Sequence, residues 1–204
     1  MHRSEGTLRA GTPLEKADAA VILVHGRGSS PDDIIGLIRY LPREGVAYLA
    51  PAAAGGAWYP QRFFAPLPQN EPDLGSALAV IHQLATECQA AGIPSSRLAL
   101  AGFSQGACLV LEYTWRHPAR YGWVAGLSGA LIGPLDTPRP RPALLQTPVL
   151  IACAEQDAHI PVEHVRQTAA AFSEAGAIVT EQIYPGGAHT VFPAAVDWLR
   201  RQKL

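Results

Sequence analysis

Short apolar runs alternate with longer stretches of helical periodicity along most of this chain. That alternation is typical of a parallel β-sheet with helices on its faces. The apolar runs are interpreted as six strands, at 20–24, 46–50, 97–102, 123–127, 149–154 and 178–184. The first run is apolar at every position, as expected of a strand buried on both faces near the centre of a sheet. The sequence therefore predicts an α/β fold with a mostly parallel sheet, with extra short strands possible before Ala19.

Helix boundaries follow from capping residues and glycine stops. The first helix should begin after Ser30, which can cap it, with Pro31 at the first helical position, and Pro42 should lie at its end. Four further helices are predicted at about 73–91, 105–117, 162–175 and 193–201. The Pro/Gly-containing stretches at 51–70 and 129–148 are predicted to be loops.

The size and charge of the chain exclude several classes of protein. Its 204 residues favour one domain, 1–204, and 48% hydrophobic against 16% charged residues is enough to bury a core. The net charge is −1 without a basic cluster, so no nucleic-acid partner is expected. Charged residues interrupt the first twenty positions, and the longest early apolar run, 19–24, is too short to span a bilayer. We therefore expect a cytoplasmic protein without stable membrane association, for which a homodimer is possible.

The three cysteines are predicted to be free thiols. Cys88, Cys108 and Cys153 are odd in number, form no CxxC pair and lie in apolar or helical stretches. Unpaired cysteines in such stretches are usually buried and behave as small hydrophobic residues.

A Gly-x-Ser-x-Gly motif lies between a predicted strand and a predicted helix. Gly102, Ser104 and Gly106 form it, and a sharp turn there would leave no room for a Cβ at either glycine. The turn would hold the Ser104 hydroxyl at the N-terminus of the next helix, where the Gln105 N–H can stabilise an oxyanion. This context makes Ser104 the candidate nucleophile. Ser128 follows the next strand without such a motif and is expected to matter little.

A second oxyanion donor is expected in the loop after the first central strand. The segment His25-Gly26-Arg27-Gly28 follows that strand, and the Arg27 N–H is the candidate donor. The two glycines could instead only form the turn into the next helix, and the Arg27 side chain could contact an anionic substrate or solvent.

A serine nucleophile needs a base, and a histidine base needs an acid to orient it. His189 lies on a loop after the last strand, whereas the other histidines lie at the N-terminus, in helices or in the oxyanion loop. The loop after the fifth strand offers Glu155 and Asp157, and Asp157 is favoured because it lies at the loop apex. The order Ser104, Asp157, His189 is that of α/β-hydrolases and not of chymotrypsin-type or subtilisin-type proteases.

Four segments together resemble the phospholipase/carboxylesterase family of α/β-hydrolases, which includes acyl-protein thioesterases. They are VHGRG at 24–28, GFSQGA at 102–107, DAHIP at 157–161 and GAH at 187–189. The resemblance covers nearly the whole chain and implies the α/β-hydrolase fold without a large lid domain. It also implies a serine esterase without metal or cofactor, acting on carboxylic esters, thioesters or lysophospholipids. Arg27 stands where the family often has an apolar residue.

The predicted partner is therefore a small-molecule ester. Trp58, Tyr59, Phe63 and Phe64 lie in the first long loop, and we expect at least one of them to line an acyl or aryl pocket. Two other interpretations stay open: a lactonase similar to dienelactone hydrolases, which typically have cysteine at the motif, and a non-catalytic binding protein on the same scaffold.

Overall fold

The computed structural model describes residues 1–41 and 44–204. Pro42, at the predicted end of the first helix, lies outside the described residues. The strands are β1 (Leu8–Gly11), β2 (Ala19–Val24), β3 (Val46–Ala50), β4 (Leu98–Phe103), β5 (Trp123–Leu127), β6 (Pro148–Ala154) and β7 (Ile178–Tyr184). The α-helices are α1 (Pro31–Ile35), α2 (Asp73–Ala90), α3 (Gln105–Arg116), α4 (Val162–Glu174) and α5 (Pro193–Arg201).

The described strands form one sheet in the order β1-β3-β2-β4-β5-β6-β7. All neighbours pair in parallel except β1, which pairs antiparallel with β3 at the edge. The six predicted strands are confirmed, and β1 is an extra short strand before Ala19. Its alternating half-buried and exposed positions suit an edge strand that contacts the core on one face only.

Helices cover both faces of the sheet and give the fold two hydrophobic layers. Strand β2 is buried at all its positions, as its unbroken apolar sequence predicts. On one face α2, α3 and α4 pack against alternate strand residues such as Ile22 and Leu100. On the other face α1 and α5 pack against the intervening residues, among them Val21 and Leu23. The architecture is a doubly covered α/β sheet.

The first helix is shorter than predicted. Ser30 and Asp33 form a capping box, in which each side chain accepts a hydrogen bond from the other residue's N–H. After Ile35 the chain tightens into a 3-10 helix over Gly36–Tyr40. Glycine weakens an α-helix by roughly 1 kcal/mol relative to alanine, so the interior position of Gly36 favours this change.

The parallel strands bring several loops to one edge of the sheet. The loops that follow β2, β4, β5, β6 and β7 all leave from the carboxyl ends of strands, which is where ligands bind in open α/β sheets. All three cysteines are free and buried, as predicted. In the part of the chain described here, no helix has the length and apolar character needed to cross a bilayer.

Candidate active site

Three side chains from three of these loops form a chain of hydrogen bonds. The Ser104 Oγ lies 2.8 Å from His189 Nε2. The His189 Nδ1 lies 2.7 Å from Asp157 Oδ2. Because a carboxylate can only accept, the proton of the imidazole is on Nδ1, and Nε2 accepts from the serine hydroxyl. This arrangement can take a proton from the serine hydroxyl while the carboxylate stabilises the imidazolium.

Ser104 lies on a strained turn between β4 and α3. Its φ of 55° and ψ of −119° are rarely adopted by a residue with a side chain. A Cβ at Gly102 would lie 2.2 Å from the Gly106 carbonyl oxygen, and one at Gly106 would lie 2.1 Å from the Val24 carbonyl oxygen. Both glycines of the motif are therefore required by close approach of the backbone, and the half-buried Ser104 lies on the turn between them.

Asp157 is held as an ionised carboxylate at the apex of the β6–α4 loop. Its side chain is fully buried, and its Oδ1 accepts from the His159 N–H at 2.8 Å and the Ile160 N–H at 3.2 Å. Burial alone would raise its pKa, but the hydrogen bonds from His189 and these amides outweigh it and lower the pKa. Glu155 instead points away and lies 3.7 Å from Arg166 as an exposed ion pair.

The loop that carries His189 is fixed from two sides. The imidazole packs between the rings of Phe103 and His159, at centroid distances of 5.0 Å and 4.8 Å. The Ser128 Oγ donates to the carbonyl oxygen of Thr190, the next residue, at 3.1 Å. Ser128 is fully buried, so its hydroxyl has a structural partner that the sequence did not indicate.

The candidate oxyanion donors lie in the wall of the same cavity. Arg27 and Gln105 both line it, and within the described chain neither main-chain N–H donates to another group. A Cβ at Gly26 would lie 3.3 Å from the Ser104 Cβ, so the candidate oxyanion loop passes close to Ser104. The Arg27 guanidinium donates to the carbonyl oxygens of residues 59, 60 and 61 at 2.6–3.0 Å. That side chain braces the neighbouring loop.

Two other histidines also brace this loop. His25 Nε2 accepts from the Ala53 N–H at 3.1 Å, so its Nδ1 carries the proton donated to the Gly26 carbonyl oxygen. His2 Nδ1 accepts from the Ala54 N–H at 2.9 Å. In both histidines burial lowers the pKa, which keeps the rings neutral and able to accept.

The cavity beside Ser104 has a volume of about 330 Å³. Tyr59 and Phe63 line it, in agreement with the expected aromatic pocket. Trp58 does not line it, since its ring is fully buried and its indole N–H donates to the His25 carbonyl oxygen. Phe64 lies behind Phe63 and packs against that ring edge-on. Of the four aromatic residues, Trp58 and Phe64 therefore lie outside the cavity wall.

The cavity wall also contains residues that the sequence did not single out, among them Arg62, Phe103, His159 and Ile160. Phe103 lies inside the Gly-x-Ser-x-Gly motif, and His159 and Ile160 lie inside the DAHIP segment. Their positions next to the candidate site residues in the sequence could therefore have identified them. Arg62 lies in the aromatic loop, where only the aromatic residues were considered. A larger hollow of about 810 Å³ lies beside β1, and none of the three hydrogen-bonded side chains lines it.

Known proteins with similar sequences and structures share this fold. A phospholipase/carboxylesterase from Dyadobacter fermentans DSM 18053 is 37% identical, with a TM-score of 0.91 over 98% of this chain and 95% of its own. A carboxylesterase from Mesorhizobium loti is 21% identical, with a TM-score of 0.70 over 91% of this chain and 88% of its own. The second likeness concerns the fold alone.

Acyl-protein thioesterase 1 of Gibberella zeae is 31% identical over 143 residues, which are 66% of this chain and 61% of that protein. The match therefore spans about three fifths of the length of this relative. The family model described as Phospholipase/Carboxylesterase matches residues 8–201, nearly the whole chain. The chain belongs to the phospholipase/carboxylesterase family of α/β-hydrolases.

Proposed function

We propose that this protein is a serine hydrolase that cleaves small to medium carboxylic esters through an acyl-enzyme. The observation that carries the proposal is the pair of hydrogen bonds, 2.8 Å and 2.7 Å long, that joins Ser104 to His189 and His189 to Asp157. A nucleophile, a base and an orienting acid in hydrogen-bond contact are the arrangement required for nucleophilic acyl transfer.

In the first half-reaction Ser104 Oγ attacks the ester carbonyl carbon while His189 Nε2 takes the hydroxyl proton. The Arg27 and Gln105 N–H groups stabilise the negative charge that forms on the carbonyl oxygen. The tetrahedral intermediate then loses the alcohol, which receives the proton from His189, and the acyl group stays on Ser104. In the second half-reaction His189 takes a proton from water while the water oxygen attacks the acyl carbon. The second tetrahedral intermediate then breaks its bond to Ser104 Oγ, which takes the proton back from His189, and the acid is released.

The cavity supports a substrate of limited size. Its volume of about 330 Å³ lies near the lower end of the range for small-molecule sites, about 300–1,000 Å³. Phe63 and Ile160 supply apolar wall, which gains binding energy from each methylene only until the space is full. We therefore expect kcat/KM to be highest for acyl chains of roughly two to six carbons and to fall for longer chains.

A thioester is the second candidate substrate, because the relative from Gibberella zeae is named an acyl-protein thioesterase. The same attack and proton transfers would cleave a thioester, with a thiol as the leaving group. A lysophospholipid is a third possibility that a chain-length series also tests.

Two measurements test the proposal. A fluorophosphonate probe should label the wild-type protein and not Ser104→Ala, whereas a protein that only binds ligands would not be labelled in either form. A series of p-nitrophenyl esters from acetate to palmitate, with thioesters of equal acyl length beside it, should then show the highest kcat/KM at the short acyl chains. A steady rise to palmitate, or strong activation by phospholipid vesicles, would refute the small substrate and favour the lysophospholipase alternative.

A further inference from the structure

The cavity beside Ser104 is positively charged at its mouth. Arg27 and Arg62 both line it, whereas none of its lining residues within the described chain is Asp or Glu. The whole chain has 16 Lys and Arg against 17 Asp and Glu, so this excess of positive charge is local. Asp157 lies nearby, but its carboxylate is buried and paired with His189. A charged cavity in a slightly acidic protein raises the local concentration of anions.

Arg62 is a cation without a counter-charge. In the described parts of the chain, 1–41 and 44–204, no carboxylate lies within 4.0 Å of its guanidinium. Its guanidinium carbon lies 5.6 Å from the centre of the Phe64 ring, a contact that supports the side chain without neutralising its charge. The five N–H donors of an arginine fork match the oxygens of a carboxylate or a phosphate.

Hydrogen bonds hold the backbone around Arg62 in place before any ligand binds. The fully buried side chain of Asn70 accepts from the Gln61 N–H at 2.8 Å and donates to the Arg62 carbonyl oxygen at 3.3 Å. The Arg27 guanidinium holds the carbonyl oxygens of the three preceding residues. A cation on a rigid loop loses less entropy when it binds a ligand.

One carboxylate is hydrogen-bonded to a residue of the cavity wall, Ser29. Asp33 accepts from the hydroxyls of Ser29 and Ser30 at 2.8 Å and 2.9 Å, and it occupies the first turn of α1. These hydroxyl bonds lower the pKa of Asp33 and keep it ionised. Two arginines and one carboxylate still leave the mouth of the cavity positive, with Arg62 as the unpaired group.

We propose that the substrate is an acidic ester, one that carries a carboxylate or a phosphate within reach of Arg62 in addition to the ester bond. The inference rests on the proposed function, since it concerns the substrate of the same cavity. Arg62 binds the anionic group and so determines specificity, while Ser104 acts on the ester bond.

The test compares acidic esters with neutral esters of equal size. Monomethyl glutarate against methyl hexanoate places the charge on the acyl side, and 4-acetoxybenzoate against 4-isopropylphenyl acetate places it on the alcohol side. A third pair, 4-acetoxyphenyl phosphate against the same neutral acetate, distinguishes phosphate from carboxylate. Release of acid is followed in a pH-stat with wild type, Arg62→Gln, Arg62→Lys and the control Arg201→Gln, which changes an exposed arginine at the end of α5.

In wild type we expect kcat/KM for at least one acidic ester to exceed that of its neutral partner by about tenfold, a difference of about 1.4 kcal/mol, through a lower KM. Arg62→Gln should bring this ratio close to one, Arg62→Lys should keep part of it, and Arg201→Gln should leave it unchanged. Added NaCl should weaken the preference, because salt screens exposed charges.

Three results would overturn the inference. Equal kcat/KM within all three pairs would exclude an acidic substrate while the proposed esterase function stands. A preference that survives in Arg62→Gln would remove Arg62 from recognition. If neither acidic nor neutral esters were cleaved, the proposed function would fail first and the inference with it.

Discussion

Two serines at the ends of neighbouring strands share a backbone geometry but differ in what their hydroxyls do. Ser104 after β4 and Ser128 after β5 both have a φ of 55°. The Ser104 N–H donates to the Leu127 carbonyl oxygen at 2.9 Å, and the Ser128 N–H donates to the Ala152 carbonyl oxygen at 2.7 Å. Each turn is therefore held by the next strand of the sheet in the same way.

The difference lies in the targets of the two hydroxyls. Ser104 Oγ contacts the imidazole of His189, and Ser128 Oγ contacts the main-chain carbonyl oxygen of Thr190. One strand end therefore presents the proposed nucleophile, while the neighbouring one holds the loop that carries its base. A turn with the same φ can present a proposed nucleophile at one strand end and hold the His189 loop at the next. The two roles differ in the group that faces the serine hydroxyl.

Loss of the Ser104 hydroxyl should have the largest effect. Ser104→Ala removes the covalent step and little volume, so ester hydrolysis should fall by about 10⁴-fold or more. The variant should remain folded by circular dichroism, because its Oγ contributes no core packing. Ser173→Ala, an exposed serine in α4, is the matched control and should keep wild-type turnover. A folded Ser104→Ala protein retaining more than about a hundredth of the rate would refute the assignment of the nucleophile.

Loss of the Asp157 carboxylate should have the second-largest effect. Asp157→Asn keeps the shape but loses the charge that stabilises the imidazolium, so kcat should fall by about 10³–10⁴-fold. The pKa of Asp157 is lowered, so its carboxylate is ionised above its ordinary pKa of about 3.9, and the loss should persist across the neutral range. The matched control is Glu155→Gln, whose side chain forms an exposed ion pair with Arg166. Similar losses in the two variants would show that the wrong carboxylate was chosen.

Much of the fold could be predicted because the apolar runs are long and continuous. Strands β3, β5 and β7 and helix α5 have the predicted bounds. The predicted loop at 129–148 ends one residue early, because Pro148 begins β6 and pairs with Ile178. Proline is tolerated at the first residue of a strand, because its missing N–H does not interrupt the hydrogen bonds inside the sheet. Local sequence determines where a strand lies more firmly than where it begins.

The site was less uniformly predictable than the fold. The Gly-x-Ser-x-Gly motif identifies Ser104 by its glycines, and chain order selects His189 and Asp157, which the structure brings together. The role of Ser128 could not be predicted, since its partner lies 62 residues away and is a main-chain carbonyl, which no side-chain pattern marks. Which of the four aromatic rings face the cavity could not be predicted, because a loop has no periodicity that shows the direction of its side chains.

A smaller effect is expected when the second serine loses its hydroxyl. Ser128→Ala removes one hydrogen bond to the His189 loop, worth about 1 kcal/mol, so kcat should fall about fivefold to tenfold with little change in KM. Ser128→Gly removes the same hydroxyl but also relieves the positive φ, and it should lose a similar amount.

The pair of Ser128 variants separates the hydroxyl from the backbone. If Ser128→Gly kept full activity and only Ser128→Ala lost it, the backbone of the turn would matter and not the bond to Thr190. If neither variant changed kcat, the positioning role of Ser128 would be wrong. Ser173→Ala again serves as the exposed control.

The smallest effect should come from the residue that links the two turns. The Cys108 N–H donates to the Ser104 carbonyl oxygen at 3.0 Å, and its Sγ accepts from the Ala130 N–H at 3.4 Å, two residues after Ser128. Cys108→Ala keeps the first bond and loses the second, so turnover should stay within about twofold while stability falls by about 1 kcal/mol, or roughly 2–4 °C in Tm.

The Cys108 side chain adjoins the cavity, yet it is fully buried, and burial raises the pKa of its thiol to about 12. The thiolate, which is the form that alkylating reagents attack, is therefore almost absent at pH 8. Iodoacetamide should leave the native protein active and unlabelled and should modify all three cysteines once urea unfolds it. Rapid alkylation of native Cys108 with loss of turnover would mean that the sulfur is open to substrate, and the link between the two turns would then belong to the binding site as well.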